Sequence, residues 1–217
     1  MTTATLTPTI ERLPRDESFA ASADPAAVQR TATALRQHGF EVEVVADAAS
    51  ARDLVLSRIP AGSEVHSGAS ATLAAAGISN AIEQSDDYLP IRPRIMAMDR
   101  ATQGDTIRKL GAAPDVFVNS AQAVTEDGSI VFASFGGSQL APIASGAGKV
   151  ILVIGVQKIV PDLATAIQRI ETYALPVEDV RIQELYGMRS KINKLLVLRG
   201  EFPGRITIVL VEEPIGV

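Results

Sequence analysis

The chain has 217 residues, 47% of them hydrophobic and 21% charged, which fits one α/β domain built on an aliphatic core. It has no Cys and two His, so disulfides, thiolate zinc sites, cysteine-ligated iron–sulfur clusters and Cys nucleophiles are excluded for this chain. A net charge of −5 gives no electrostatic reason to expect nucleic acid, and no apolar run approaches the ~18 residues of a membrane span.

The first 22 residues are rich in Thr, Ser and Ala and are expected to form a flexible arm, leaving 23–217 as a single domain. They lack a basic stretch followed by an apolar one, so a cytoplasmic protein is expected. Asp24 and Pro25 suit the N-cap and first position of a helix that ends near His38, with Gly39 closing it. "FEVEVV" alternates as a strand over 40–45, and Asp47 can cap a helix through Ser57. Pro60 to Gly62 forms a turn, "SEVHS" a strand, and about 70–76 a helix.

Residues 78–113 carry two prolines in "QSDDYLPIRPR", and a helix is expected roughly over 94–110. "DVFVNSAQAVTEDGSIVFAS" reads as a strand, a short link and a hairpin turned at Glu126-Asp127-Gly128, because Asp-Gly is a strong hairpin signal. "FGGSQ" opens another short helix. "KVILVIGV" is the most apolar run and reads as a strand buried on both faces. Pro161-Asp162 starts a helix with Leu163, Ala166, Ile167 and Ile170 on one face. Two strands follow around Gly200 to Gly204. This alternation of strands and helices argues for a mainly parallel sheet.

Parallel sheets bind ligands beyond the C-terminal ends of their strands. Four small-residue loops follow predicted strands: 67–72, 119–123, 135–139 and 155–158. In the first, Ser67, Gly68, Ser70 and Thr72 can offer backbone N–H groups and hydroxyls to an anion, or can simply turn the chain and cap a helix. Asn119 opens the second loop. In the third, Gly136 and Gly137 allow close backbone approach and Ser138 can cap. Lys158 stands where the most apolar strand ends, as an anion partner or as a surface lysine. Glu126 is a candidate base, nucleophile or ligand-orienting carboxylate, or a solvated turn residue.

His38 precedes a helix-ending Gly, where a cationic ring suits the dipole, and His66 reads as a core or edge residue. Basic residues gather as Arg92, Arg94, Arg100, Arg108 and Lys109, and as Arg189, Lys191, Lys194, Arg199 and Arg205. These are solvated faces, an anion pocket, or a docking face for an acidic partner.

The stretches "SGASATLAAAGI", "DVFVNSAQAVTEDGSIV" and "GKVILVIGVQKIVPDLATAIQRI", in this order, resemble the LUD domain family of lactate-utilisation proteins, of the LutC/YkgG kind. The resemblance covers roughly residues 20–217. It implies a three-layer α/β/α domain with a mixed, mostly parallel sheet, similar to the NagB/RpiA/CoA-transferase superfamily. It implies an accessory subunit in the oxidation of L-lactate to pyruvate, with iron–sulfur partner proteins. No cofactor is expected on this chain itself, and no iron–sulfur cluster, since it has no Cys. The superfamily also implies a small anionic or phosphorylated metabolite as ligand. A sugar-phosphate or CoA-ester enzyme, or a sensor, is therefore the alternative, with Glu126 before its turn placed as CoA transferases place a glutamate. No catalytic residue is carried over from the family.

Overall fold

The computed structural model describes residues 10–217. In chain order the strands are β1 (Glu41–Val45), β2 (Glu64–Ser67), β3 (Leu89–Pro90), β4 (Val116–Asn119), β5 (Ala123–Thr125), β6 (Ile130–Ser134), β7 (Lys149–Gly155), β8 (Ile159–Val160), β9 (Lys194–Leu198) and β10 (Ile206–Val211). The helices are α1 (Pro25–Gln37), α2 (Ala48–Arg58), α3 (Ala71–Ala75), α4 (Ile78–Glu83), α5 (Ile91–Met96), α6 (Gly104–Ala112), α7 (Leu163–Arg169) and α8 (Leu175–Tyr186).

Six strands form an all-parallel sheet in the order β1-β10-β7-β4-β2-β3. Its two faces are read directly from β7, where alternate residues go to opposite cores. Val150, Leu152 and Ile154 pack with Val28, Ala32 and Leu35 of α1. Ile151 and Val153 pack with Val55 of α2, Leu73 of α3 and Ile78 and Ile82 of α4. This is the three-layer α/β/α arrangement. The expected capping signals are in place: the side chains of Asp24, Asp47 and Asp162 accept from Ala27, Ser50 and Thr165 N–H. Gly39 closes α1 at φ 88°, a left-handed conformation that favours glycine.

A second sheet, β8-β5-β6-β9, lies over the α1 side of the first. The Asp-Gly hairpin is its centre, with Val124 opposite Ile130 and Gly128 at φ 87°. Val124, Ile130 and Phe132 face the large sheet, while Ala123 and Val131 meet Ala166 and Ile170 on the other side. The two strands expected around Gly200 to Gly204 are not neighbours. β9 pairs with β6, whereas β10 runs between β1 and β7.

Two helical expectations change. The helix expected over 94–110 is two helices, because Asp99 folds the intervening chain into a turn, accepting from Ala101 N–H and the Thr102 hydroxyl. The short helix expected to open at "FGGSQ" begins a few residues later and is π-helical, Pro142–Gly146. Helices α7 and α8 are joined through one π-helical segment, Ile170–Ala174. Its cause is Pro176, which has no N–H for the carbonyl four residues earlier and whose ring crowds it. That carbonyl, on Thr172, accepts instead from Asp16 N–H at 2.9 Å.

Of the arm expected over 1–22, residues 1–9 lie outside the described residues. Further on, Glu11 exchanges hydrogen bonds with Gln183, and Asp16 caps a 3-10 turn, Glu17–Ala20. Among the described residues no helix is long and apolar enough to cross a membrane.

Candidate functional site: a buried lysine at the sheet rim

The parallel register brings the strand ends level: Ser67 stands opposite Val118, Asn119 opposite Leu152, and Gly155 opposite Val211. The loops after β2, β4 and β7 therefore converge on one rim, as a ligand site on such a sheet requires. Between this rim, the end of β6, α8 and the segment Met188 to Ile192 lies a cavity of about 530 Å³. This is within the usual range for small-molecule sites, ~300–1,000 Å³.

Of the residues singled out in the sequence, Ser70, Thr72, Asn119, Gly136, Ser138 and Lys158 line this cavity. Gly68 lines an adjoining recess that shares Ser70 and Arg181 with it. Ser67 is buried and donates to Glu83 Oε1 at 3.1 Å. Gly137 is turned against Lys194 and donates its N–H to Ser134 Oγ. Glu126 is not among the lining residues. Its carboxylate pairs with Arg30 at 2.7 Å, and its N–H donates to the Val160 carbonyl.

Lys158 ends a short 3-10 turn, Val156–Lys158, that links β7 to β8 and tucks the side chain under the loops. It is 2% exposed. Its Nζ donates to Thr72 Oγ1 at 2.8 Å, Ser120 Oγ at 3.1 Å and the Ala121 carbonyl at 3.2 Å. Burial, and then the nearby Arg169 charge, lower its pKa from 10.5 to about 7. Arg169 is also buried, projecting from α7 to donate to the Gln122 carbonyl, with its guanidinium 5.1 Å from the Tyr173 ring centre. Among the described residues its Nε and Nη2 have no partner, and burial lowers its pKa to about 10. Among the described residues neither cation is in an ion pair. Buried charges are costly without a counter-charge.

Asn119 is 3% exposed, and among the described residues its Nδ2 has no partner. Gly68 is packed so closely that a Cβ there would lie 2.5 Å from Asn119 Oδ1. The upper wall is mixed. Phe135, Leu175, Ile182 and Met188 supply apolar surface, and Arg100, Arg181, Arg189 and Lys191 supply basic groups, of which Arg181 pairs with Glu178 and Arg189 with Asp179 and Glu11. Each basic group of the sequence thus contributes to the cavity, through Arg100 in the first and through Arg189 and Lys191 in the second. Arg94, Arg108 and Arg205 lie outside the cavity lining, paired with Glu64, Asp105 and Glu201. His66 packs edge-on against Phe117, and burial lowers its pKa.

Sequence reasoning did not single out Ser120, Gln122, Arg169, Asp179 or Arg181. Ser120 and Gln122 fall inside a marked loop. Arg169 had a signal: it sits on the helical stripe of Ala166, Ile170 and Tyr173, a buried face that should hold no charge without a reason. Among the described residues no three His, Asp or Glu side chains cluster as a metal site would need.

The fold has a solved counterpart. A crystal structure of a DUF162 family protein from Deinococcus radiodurans matches with a TM-score of 0.55 and 14% identity, over 86% of this chain and 97% of that one. At that identity the likeness concerns the fold. No curated protein matches the chain. The LUD domain matches residues 28–211, from α1 to the last residue of β10, and so takes in every loop of the rim. With that match over most of its length, the chain belongs to the LUD domain family.

Proposed function

We propose that this chain is the substrate-binding subunit of a lactate-utilisation system, and that it holds a small carboxylate, L-lactate or pyruvate, against Lys158. The supporting observation is Lys158 itself: a buried amine on a cavity floor, surrounded by hydroxyls and a carbonyl, with no acid paired to it among the described residues. A bound carboxylate supplies the missing counter-charge, and Asn119 Nδ2 supplies a free donor. The chain has no Cys, so a thiolate-held redox cluster belongs to a partner protein. This chain's part is then to bind and orient, and the family to which it belongs points to lactate as the context.

Calorimetric titration tests this. L-lactate or pyruvate is expected to bind, and Lys158→Met is expected to abolish the heat. Absence of binding by both acids would refute the reading. The cavity is larger than a three-carbon acid needs, and its apolar wall and basic rim favour a second reading, a CoA ester or sugar phosphate. Binding of one of those, with none of the small acids, would select it.

Gly68→Ala probes the same floor without touching a charge. Its Cβ would press on the Asn119 amide, which is buried and has little room to move. Affinity for the bound anion is expected to fall roughly tenfold, about 1.4 kcal/mol. Unchanged affinity by calorimetry would remove Asn119 from the binding surface.

A further inference from the structure

Pairing with an anion does not account for everything around Lys158. Two of its three partners are hydroxyls, Thr72 and Ser120, both buried. A hydroxyl can take a proton and give one. Among the described residues no carboxylate holds the nitrogen as an ammonium. Burial strips it of water and keeps the neutral amine within reach near pH 7. A desolvated amine facing a cavity, with proton carriers at hydrogen-bond distance, is equipped to attack a carbonyl carbon. Beside it, the Asn119 amide is nine-tenths buried or more and has an unused donor. An amine nucleophile and a carboxylate-reading amide on one floor define a ligand with a carbonyl next to a carboxylate.

We infer that Lys158 forms a covalent iminium with the 2-carbon of a 2-oxo acid, whose carboxylate is received by Asn119. This rests on the reading that the site takes small carboxylates, and it names the oxidised member of the lactate pair as the reactive ligand. The Nζ lone pair forms the C–N bond as the carbonyl π-bond breaks, and the carbonyl oxygen takes up a proton. A second proton follows as the C–O bond breaks, and that oxygen leaves as water. Starting from the ammonium and the ketone, the products are an iminium and water, so charge and atoms balance. Thr72 and Ser120 carry the protons between nitrogen and oxygen. The iminium remains cationic and keeps the carboxylate as its counter-ion. It also makes the adjacent carbon more acidic, which opens the bound acid to proton exchange. L-lactate has no carbonyl and would bind at the same floor without a covalent bond.

The test is borohydride reduction of the full chain with pyruvate near neutral pH, followed by intact mass and peptide mapping. Calorimetric titration of pyruvate is run in the same buffer. The expected result is a single reduced adduct on the peptide containing Lys158, absent with L-lactate. Thr72→Val, which retains the lysine, is expected to slow adduct formation by about a hundredfold, as loss of a positioned proton carrier does. Pyruvate binding without an adduct, or with adducts spread over exposed lysines, would overturn the inference and leave the binding site standing. Pyruvate and L-lactate both failing to bind would overturn the reading of the site, and the inference with it.

Discussion

Lys158→Met is expected to raise thermal stability at about pH 6 while removing anion affinity. The depression of the lysine pKa from 10.5 to about 7 means that keeping it charged in the fold costs roughly 5 kcal/mol. The three hydrogen bonds from Nζ offset about 3 kcal/mol of that. Methionine has a similar length and no charge, so it forgoes both contributions. The net gain is about 2 kcal/mol, or roughly 4–8 °C for a chain of this size. A site that is destabilising on its own and stabilised by its ligand is a common trade between stability and function.

The same substitution has a pH signature that ordinary core repacking lacks. The folded pKa of Lys158 lies below its unfolded value. Between about pH 7 and 10.5 the unfolded chain holds a proton that the folded chain has released, so raising the pH stabilises the wild-type fold. Below about pH 7 both states are protonated and the cost is felt in full. Near pH 10 it has almost gone, and only the lost hydrogen bonds distinguish the variant. Lys158→Met is therefore expected to be more stable than wild type at about pH 6 and less stable near pH 10, with a crossing between. Denaturant melts at several pH values measure the difference. A difference that does not change with pH would mean that Lys158 keeps an ordinary lysine pKa.

How far the site was legible depended on the range of the interactions that build it. The caps at Asp24, Asp47 and Asp162 act over three residues, so the sequence displays them directly. The apolar run of β7 and the Asp-Gly turn are local in the same way. The convergence of the loops after β2, β4 and β7 followed from one further rule, that ligands gather at the strand ends of parallel sheets. The burial of Lys158 did not follow from any of these. It depends on Thr72, 86 residues away, and Ser120, 38 residues away. No local pattern separates such a lysine from a surface one. The second sheet was hidden for the same reason: β9 and β10 are consecutive in the chain, yet belong to different sheets. Glu126 was noticed for its turn, and that turn belongs to the small sheet, with Arg30 as its partner.

Asp179→Ala is expected to loosen the cavity wall from behind. Asp179 is fully buried on α8. It accepts from Arg189 Nε at 2.8 and 3.1 Å, from Ser190 N–H at 2.6 Å and from Gln183 Nε2 at 3.1 Å. Arg189 in turn reaches Glu11, and Gln183 is hydrogen-bonded to the Glu11 backbone. One carboxylate therefore ties α8, the segment Met188 to Ile192 and the chain near Glu11 into a single knot, and that segment lines the cavity. Removing the carboxylate leaves Arg189 Nε and the Ser190 N–H without their acceptor, while Arg189 keeps its pairing with Glu11. Breaking a fully buried pair costs about 3–5 kcal/mol, but Arg189 is about a third exposed and water relieves part of the loss. A cost of about 2–3 kcal/mol is expected, or a fall in Tm of roughly 4–12 °C. Amide hydrogen exchange should rise more at Met188 to Ile192 than in β7, where it follows only the loss of global stability, because the knot lies outside the parallel sheet. Anion affinity should fall with it, since Arg189 and Lys191 are carried on the freed segment. Asp179→Asn keeps an acceptor for Ser190 N–H and should recover part of the local protection. Exchange rising equally in β7 would instead show that Asp179 supports the whole domain, and unchanged affinity with a freed segment would show that Arg189 and Lys191 take no part in holding the anion.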